Sequence, residues 1–457
     1  MSGVEAEISG AGYGVKAILH DVRLSAKAGE TLAVVGRSGV GKTTLMLSVT
    51  GVLDNLLGGW TRGKVSLAGL DPIKRDFKEV PRKIGIVLQD PDRQLAMPFV
   101  LDEVAFTLRN LGLPEKRAWG ALLRFGLAHK AYAEVETLSG GEKRRLTLAA
   151  SLVHEPEILI LDEPSASIDP WGVGDLKRYV QTMAEKGLTI LLIEHKLGFY
   201  RGVFDRILLL EAGSSTWAGS VEEADPRILE EHGVDYTLIG RPRERVFTGE
   251  RVAFLRDCEF SYDGFTLRVD ELDIRAGERI ALIGPNGGGK TTLLKILGGF
   301  HRCSGEISVA GRAFYVPQHP DYLFVRPSVG EELRDAREKG GHEPLGLPTG
   351  IDVGSSPYKL SHGQRRWLSL AIAHAFRPRL LLLDEPTTGL DLFLVEQLTD
   401  VLWRLSKSGL SIVFSTHDPR VVMSLADRVL LVADGRVSEI DVDEAISMML
   451  EAMDIEI

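Results

Sequence analysis

Residues 282–293 read LIGPNGGGKTTL, and residues 34–45 read VVGRSGVGKTTL. Both fit GxxxxGK[ST], at 36–43 and 284–291. Each follows a short apolar run, TLAVV or RIALI, that reads as a buried strand. Each precedes a helical pattern, KTTLMLSV or KTTLLKIL. In that setting the glycines let the backbone bend so that successive N–H groups converge on phosphate oxygens, and the following helix adds its positive end. The candidate ATP-binding residues of the first copy are Gly36, Arg37, Ser38, Gly39, Val40, Gly41, Lys42, Thr43 and Thr44. Those of the second are Gly284, Pro285, Asn286, Gly287, Gly288, Gly289, Lys290, Thr291 and Thr292. Lys42 and Lys290 are expected to reach the β- and γ-phosphates, and Thr43 and Thr291 to ligate Mg²⁺.

The loop is repeated because a whole domain is repeated. Lys42 and Lys290 lie 248 residues apart. Ser139 to Asp162 and Ser361 to Asp384 both span 23 residues, and Asp162 to His195 and Asp384 to His417 both span 33. The halves differ only between these anchors: Lys42 to Gln89 spans 47 residues against 28 from Lys290 to Gln318. We expect domains at 1–240 and 251–457, joined by a solvated linker at 241–250 inside GRPRERVFTGE.

Composition sets outer limits. The chain has 457 residues, 44% of them hydrophobic, which is too long for one ordinary domain. No apolar run approaches the about 20 residues that span a bilayer, and the start MSGVEAEISG lacks a signal-peptide pattern. The net charge of −10 argues against nucleic acid as the main partner. Cys258 and Cys303 are expected to be unpaired thiols in a reducing compartment.

EILILDEP (157–164) and RLLLLDEP (379–386) are apolar strands ending in Asp-Glu. Such a strand delivers its last carboxylates to the sheet edge where α/β proteins bind ligands. Asp162 and Asp384 are candidates to hold Mg²⁺, and Glu163 and Glu385 to polarise an attacking water. LSGGEKRR (138–145) and LSHGQRRW (360–367) read as capping boxes that start helices. Capping accounts for the serine and the Glu or Gln; it leaves the glycines unexplained unless something approaches the backbone closely. A helix tip with bare N–H groups is a second anion site.

Together these motifs resemble the nucleotide-binding domain of ABC ATPases, twice over, from about residue 5 to about 440. The resemblance implies an α/β fold of two tandem P-loop NTPase domains. Each would have a mainly parallel sheet core, a helical subdomain and an antiparallel β subdomain. It also implies two composite ATP sites, paired head to tail. The first would join Lys42, Thr43, Gln89, Asp162, Glu163 and His195 to Ser361 and Gly363. The second would join Lys290, Thr291, Gln318, Asp384, Glu385 and His417 to Ser139, Gly140 and Gly141. By the same resemblance Tyr13 and Tyr262 stack on adenine, Gln89 and Gln318 touch Mg²⁺, and His195 and His417 face the γ-phosphate. Asp169 and Asp391 match the loop that communicates between sites.

The segment LQDPDRQLAMPFVLDEVAFTLRNLGLP (88–114) is similar to the ATPases of energy-coupling factor (ECF) transporters, which import vitamins or nickel and cobalt ions. That resemblance implies a peripheral ATPase on the cytoplasmic face of the cell membrane, with a membrane-embedded T component and a substrate-binding S component as partners. Val104, Phe106 and Leu108 are candidates to line the groove for the T component. Rival readings are the tandem ATPase of a sugar importer and a soluble twin-ABC factor acting on ribosomes. One departure from the family pattern is His362, in place of the first signature glycine. A side chain there narrows backbone access, so the two sites should turn over at different rates. Steady-state hydrolysis by Glu163→Gln and Glu385→Gln variants measures each site alone, and indistinguishable rates would remove the asymmetry.

Overall fold

The computed structural model describes residues 3–165, 168–244, 249–262, 264–348 and 350–455. Four residues of the expected linker, 245–248, lie outside this set. The chain forms two compact units, one of residues 1–168 and 172–238, the other of 169–171 and 239–457.

In the first unit a six-stranded sheet runs in the order Ser214–Ser220, Arg206–Glu211, Thr31–Val35, Thr189–Ile193, Ile158–Asp162, Ile84–Val87. The last five strands are mutually parallel. Thr31–Val35, Ile158–Asp162 and Thr189–Ile193 are buried along their whole length. That explains their unbroken apolar sequence: helices or loops cover both faces of a parallel sheet. A separate antiparallel sheet holds Lys16–Leu19, Val4–Tyr13 and Val22–Ala26, with Gly59–Leu67 also pairing to Val4–Tyr13. Val4–Tyr13 alternates buried and exposed over its first six residues, the pattern of a sheet with one wet face.

The second unit repeats this plan in one nine-stranded sheet. Its parallel portion runs Arg428–Ala433, Arg279–Ile283, Ser411–Ser415, Leu380–Leu383, Ala313–Val316. Its antiparallel portion, Glu306–Val309, Arg251–Tyr262 and Phe265–Arg275, joins through a single bridge between Arg268 and Arg436. The α/β fold with two tandem P-loop domains is thus as expected.

Length differences between the halves have structural causes. The first unit carries a helix Arg117–Arg124 between Val100–Asn110 and Gly140–Leu152. In the second, Val329–Gly340 is followed by loop and one short turn before His362–Ala375. Helix Val100–Asn110 also corrects one expectation. Val104 and Leu108 are fully buried in the subdomain, so they cannot line a groove; Phe106 is half-buried. The C-terminal helix Val442–Ala452 lays Ile446 and Met449 into the second unit, against Pro419–Leu425.

The cysteines also depart from expectation. Cys258 and Cys303 form a disulfide, with Cα atoms 5.4 Å apart. Arg256 pairs with Glu306, and the turn before Glu306 continues alongside, Ser304 N donating to Glu259 O at 2.9 Å. That register places residue 303 beside residue 258, a contact made by tertiary pairing and invisible to local spacing. In the first unit Gly59–Leu67 pairs along all of Val4–Tyr13, from Leu67 to Gly59. The second unit's strand is only Glu306–Val309, so the disulfide closes the stretch that a ladder closes in its twin. Closing a loop with a sequence separation of 45 contributes about 4 kcal/mol in the chain-entropy model. Reduction, or Cys303→Ser, should therefore lower the melting temperature of the second half by several degrees in calorimetry, leaving the first half's transition in place.

Candidate functional site

Strand order puts the candidate residues along one edge. In the first unit, Thr31–Val35, Thr189–Ile193, Ile158–Asp162 and Ile84–Val87 are consecutive neighbours. Their C-terminal ends release, in turn, the phosphate loop, His195, Asp162 with Glu163, and Gln89. The second unit lines up its phosphate loop, His417, Asp384 with Glu385, and Gln318 in the same way.

Each loop is shaped by glycines that no other residue replaces without displacement. Gly36 and Gly284 have φ of 146° and 134°. A Cβ on either would lie 2.2 Å from a carbonyl oxygen, of Leu210 or Val432. The lysines fold back over their loops. Lys42 Nζ donates to Gly36 O at 2.8 Å and Arg37 O at 3.0 Å, and lies 4.0 Å from Glu163 Oε1. Lys290 Nζ donates to Gly284 O at 2.7 Å and Pro285 O at 3.0 Å. Burial pushes the Lys290 ammonium below its usual range, opposed by Glu385, Asp169 and Asp384. Within the second unit Asp169 also accepts from Asn286 N at 2.7 Å.

Around Glu163 the first unit gathers a polar cluster. Gln89 Nε2 donates to Glu163 Oε2 at 2.9 Å, and His195 Nδ1 lies 3.5 Å from Glu163 Oε1. Burial lowers the His195 pKa, but Glu163 and Glu194 outweigh it and the net shift is upward. In the second unit His417 Nε2 lies 3.0 Å from Glu385 Oε1. Glu163 and Glu385 have φ of 45° and 46°, a left-handed backbone rare outside glycine and asparagine. The same strain at the same place in both halves turns each glutamate away from its strand's alternation.

The aspartates differ. Asp384 accepts from Thr291 Oγ1 at 2.8 Å, Tyr315 OH at 3.0 Å and Ser415 Oγ at 2.7 Å. Tyr315 and Ser415 were not singled out from the sequence; Ile86 occupies the place of Tyr315 in the first half, so the repeat gave no hint. Among the described residues no cluster of three or more His, Cys, Asp or Glu forms a metal cage. One carboxylate beside a threonine hydroxyl suits Mg²⁺, which takes its remaining ligands from water and phosphate. The buried lysines, the glycine-bent loops and the helices Lys42–Val49 and Lys290–Leu297 suit the phosphates.

Tyr13 and Tyr262 sit at strand ends, 38% and 66% exposed. Ser139 and Ser361 are N-caps of their helices, each in a complete capping box with Glu142 or Gln364. Gly140 and Gly141 have open space where a Cβ would stand, whereas one on Gly363 would meet Leu394 Cδ1 at 2.9 Å. Gly363 thus also serves packing within its own unit. His362 is half-buried, and that desolvation with the nearby Arg366 and Arg365 lowers its pKa to about 4, so it is neutral at pH 7.

Asp162, 7% exposed, has its pKa raised to about 7, by burial first and Glu163 second, against the pull of Lys42. A carboxyl whose folded pKa lies above its unfolded value favours folding while protonated, and that stabilisation is lost as pH rises from the unfolded value through the folded one. Asp162→Asn should therefore raise the melting temperature of nucleotide-free protein by several degrees at pH 8 and leave it nearly unchanged at pH 4. Equal shifts at both pH values would contradict the assignment.

Two domain matches to the family model described as ABC transporter cover residues 19–166 and 267–388. A protein of Methanosarcina mazei, provisionally described as an ABC transporter ATP-binding protein, is 32% identical over 460 residues, covering 92% of this chain and 91% of its own. One of Saccharolobus solfataricus with the same description is 30% identical, covering 91% and 89%. Among solved structures, the archaeal ribosome recycling factor aABCE1, in complex with the ribosomal stalk protein aP1, superposes with a TM-score of 0.71 at 22% identity, covering 98% of this chain and 92% of that one. At that identity the likeness is one of fold. With both phosphate loops inside the matched regions, the chain belongs to the ABC transporter family and is an ATPase built from two copies of its ATP-binding domain.

Proposed function

We propose that this chain is the ATP-hydrolysing subunit of an ECF-type importer for a vitamin or a transition-metal ion. Domains 1–240 and 251–457 pair head to tail around Mg²⁺ and ATP, and closure and release of the pair drive a T component in the membrane. Lys42 and Lys290 hold the β- and γ-phosphates, Thr43, Thr291, Asp162, Asp384, Gln89 and Gln318 serve Mg²⁺, and Glu163 and Glu385 orient water. His195 and His417 face the γ-phosphate, and Ser139 and Ser361 with their glycines close the opposite site.

One observation carries the transport reading: aromatic and aliphatic side chains stand exposed just downstream of each candidate Mg²⁺-side glutamine. In the first unit these are Phe99, Trp119, Leu123 and Tyr132, from 41% to 78% exposed. They are neighbours: Phe99 bridges Glu134, and the Trp119 and Tyr132 rings lie 6.5 Å apart. The second unit exposes Tyr322, Val325 and Tyr358 at the corresponding place. Apolar side chains in such a cluster suit the short helices of a membrane protein better than a nucleic-acid backbone. Among the described residues no helix is long and apolar enough to cross a membrane, so the reading assigns translocation to partner subunits and selectivity to an S component. Relatives provisionally described as ABC transporter ATP-binding proteins, matching along nine-tenths of the chain, support it.

The ribosome-acting alternative has the fold likeness to aABCE1 in its favour. Affinity capture of the tagged chain from detergent-solubilised membranes separates the two. We expect a polytopic membrane protein to co-purify in stoichiometric amount. Phe99→Asp with Tyr132→Asp should reduce its recovery at least about tenfold, the loss of a central interface contact, with ATPase activity retained. Recovery of ribosomal subunits instead would overturn the transport reading.

A further inference from the structure

Five residues beyond each capping serine stands an arginine, Arg144 or Arg366. Both are buried, at 5% and 1% exposure. Arg144 donates from Nη1 to Leu88 O and from Nη2 to Gln89 O, each at 2.9 Å. Arg366 repeats this geometry, Nη1 to Pro317 O at 3.0 Å and Nη2 to Gln318 O at 2.7 Å. Its Nη2 also donates to Glu385 O at 3.1 Å. The preceding residues behave differently: Lys143 and Arg365 form ordinary ion pairs with Asp92 and Asp321, both at 2.6 Å.

A guanidinium buried against backbone carbonyls loses its hydration, a cost that hydrogen bonds to carbonyls offset only in part. What it supplies is geometry. Two parallel N–H groups on consecutive carbonyls fix the receiving backbone in both position and orientation, which a lysine ammonium cannot do. The two halves differ at many positions of these helices and still place the same fork on the same two carbonyls.

We propose that Arg144 and Arg366 are positioning residues for ATP hydrolysis. Each makes the serine-bearing helix and the candidate Mg²⁺-side glutamine of its half one mechanical body, and Arg366 adds the backbone of Glu385 to that body. Any shift of the helix tip then moves the glutamine with it. This inference rests on the roles given above to Gln318 and Glu385, and it assigns a function to residues outside that set.

The full chain carrying Glu163→Gln isolates turnover by the second half's own machinery. In that background Arg366→Lys should lower kcat about 10- to 100-fold, the scale of a misplacement near 1 Å. The KM for Mg·ATP should stay within about twofold, because the phosphate contacts are untouched, and the melting temperature within about 3 °C, because a lysine keeps the buried charge and part of the hydrogen bonding. Arg145→Gln, at an exposed position of the matching helix in the first half, should leave all three unchanged. Arg366→Lys added to Gln318→Ala should cost less than it does alone, since it acts through that glutamine. The proposal is overturned if kcat is unchanged, or if KM and melting temperature deteriorate in step with kcat. Should Arg366→Lys fail to fold, Arg144→Lys in the Glu385→Gln background puts the same question to the first half. Adding Glu385→Gln to Glu163→Gln separates the two failures: residual hydrolysis there refutes the site assignment itself, not the arginines.

Discussion

Each half of this protein is organised around a buried lysine charge. Lys42 and Lys290 are at most 7% exposed, and a cation so placed must be solvated by the protein itself. The loop carbonyls of residues 36, 37, 284 and 285 supply that solvation, which requires the loop to curl back over its own lysine. Only a glycine-bent backbone can do so, and only a parallel strand feeding a helix places it at the sheet edge. A carboxylate from the strand next but one then balances the charge, Glu163 within 4.0 Å of Lys42. Phosphate loop, strand order and acidic strand ends are parts of one electrostatic arrangement.

Strain is the second shared element. A left-handed conformation at a glutamate costs on the order of 1–3 kcal/mol, and it recurs at Glu163 and Glu385 although their surroundings differ. Glu163 meets Gln89 and His195; Glu385 meets His417, and its N–H donates to Ser415 Oγ. Both halves therefore keep the backbone twist that aims the carboxylate while varying what it meets. The strand-end aspartates vary more: three hydroxyls converge on Asp384, whereas burial and the neighbouring Glu163 raise the pKa of Asp162.

Much of this was legible in the sequence because the chain states it twice. The repeated spacings fixed which strands end beside which loops, and the unbroken apolar runs at 31–35 and 279–283 announced a buried parallel sheet. Capping boxes at Ser139 and Ser361 read correctly from three-residue patterns. What escaped depended on contacts between distant segments. Tyr315 reaches Asp384 across 69 residues and Arg366 reaches Pro317 across 49, and neither has a local signature. The disulfide required the register of Glu306–Val309 on Arg251–Tyr262. Val104 and Leu108 looked like a docking face because a helical stripe shows which residues share a side, not which side faces water.

The capping boxes have one further implication. At the start of Gly140–Leu152, Glu142 accepts from both Ser139 N and Ser139 Oγ at 2.9 Å and pairs with Lys130. Against the upward push of burial, these bonds hold its pKa at about 2, so a permanent anion already sits where the helix dipole favours one. At Ser361 the same seat is taken by Gln364, a neutral amide. A phosphate arriving at the first tip would have to displace or share with a resident negative charge, while one arriving at the second would meet a neutral amide in that seat. If the serines close nucleotide sites as proposed, they do so unequally before any chemistry begins.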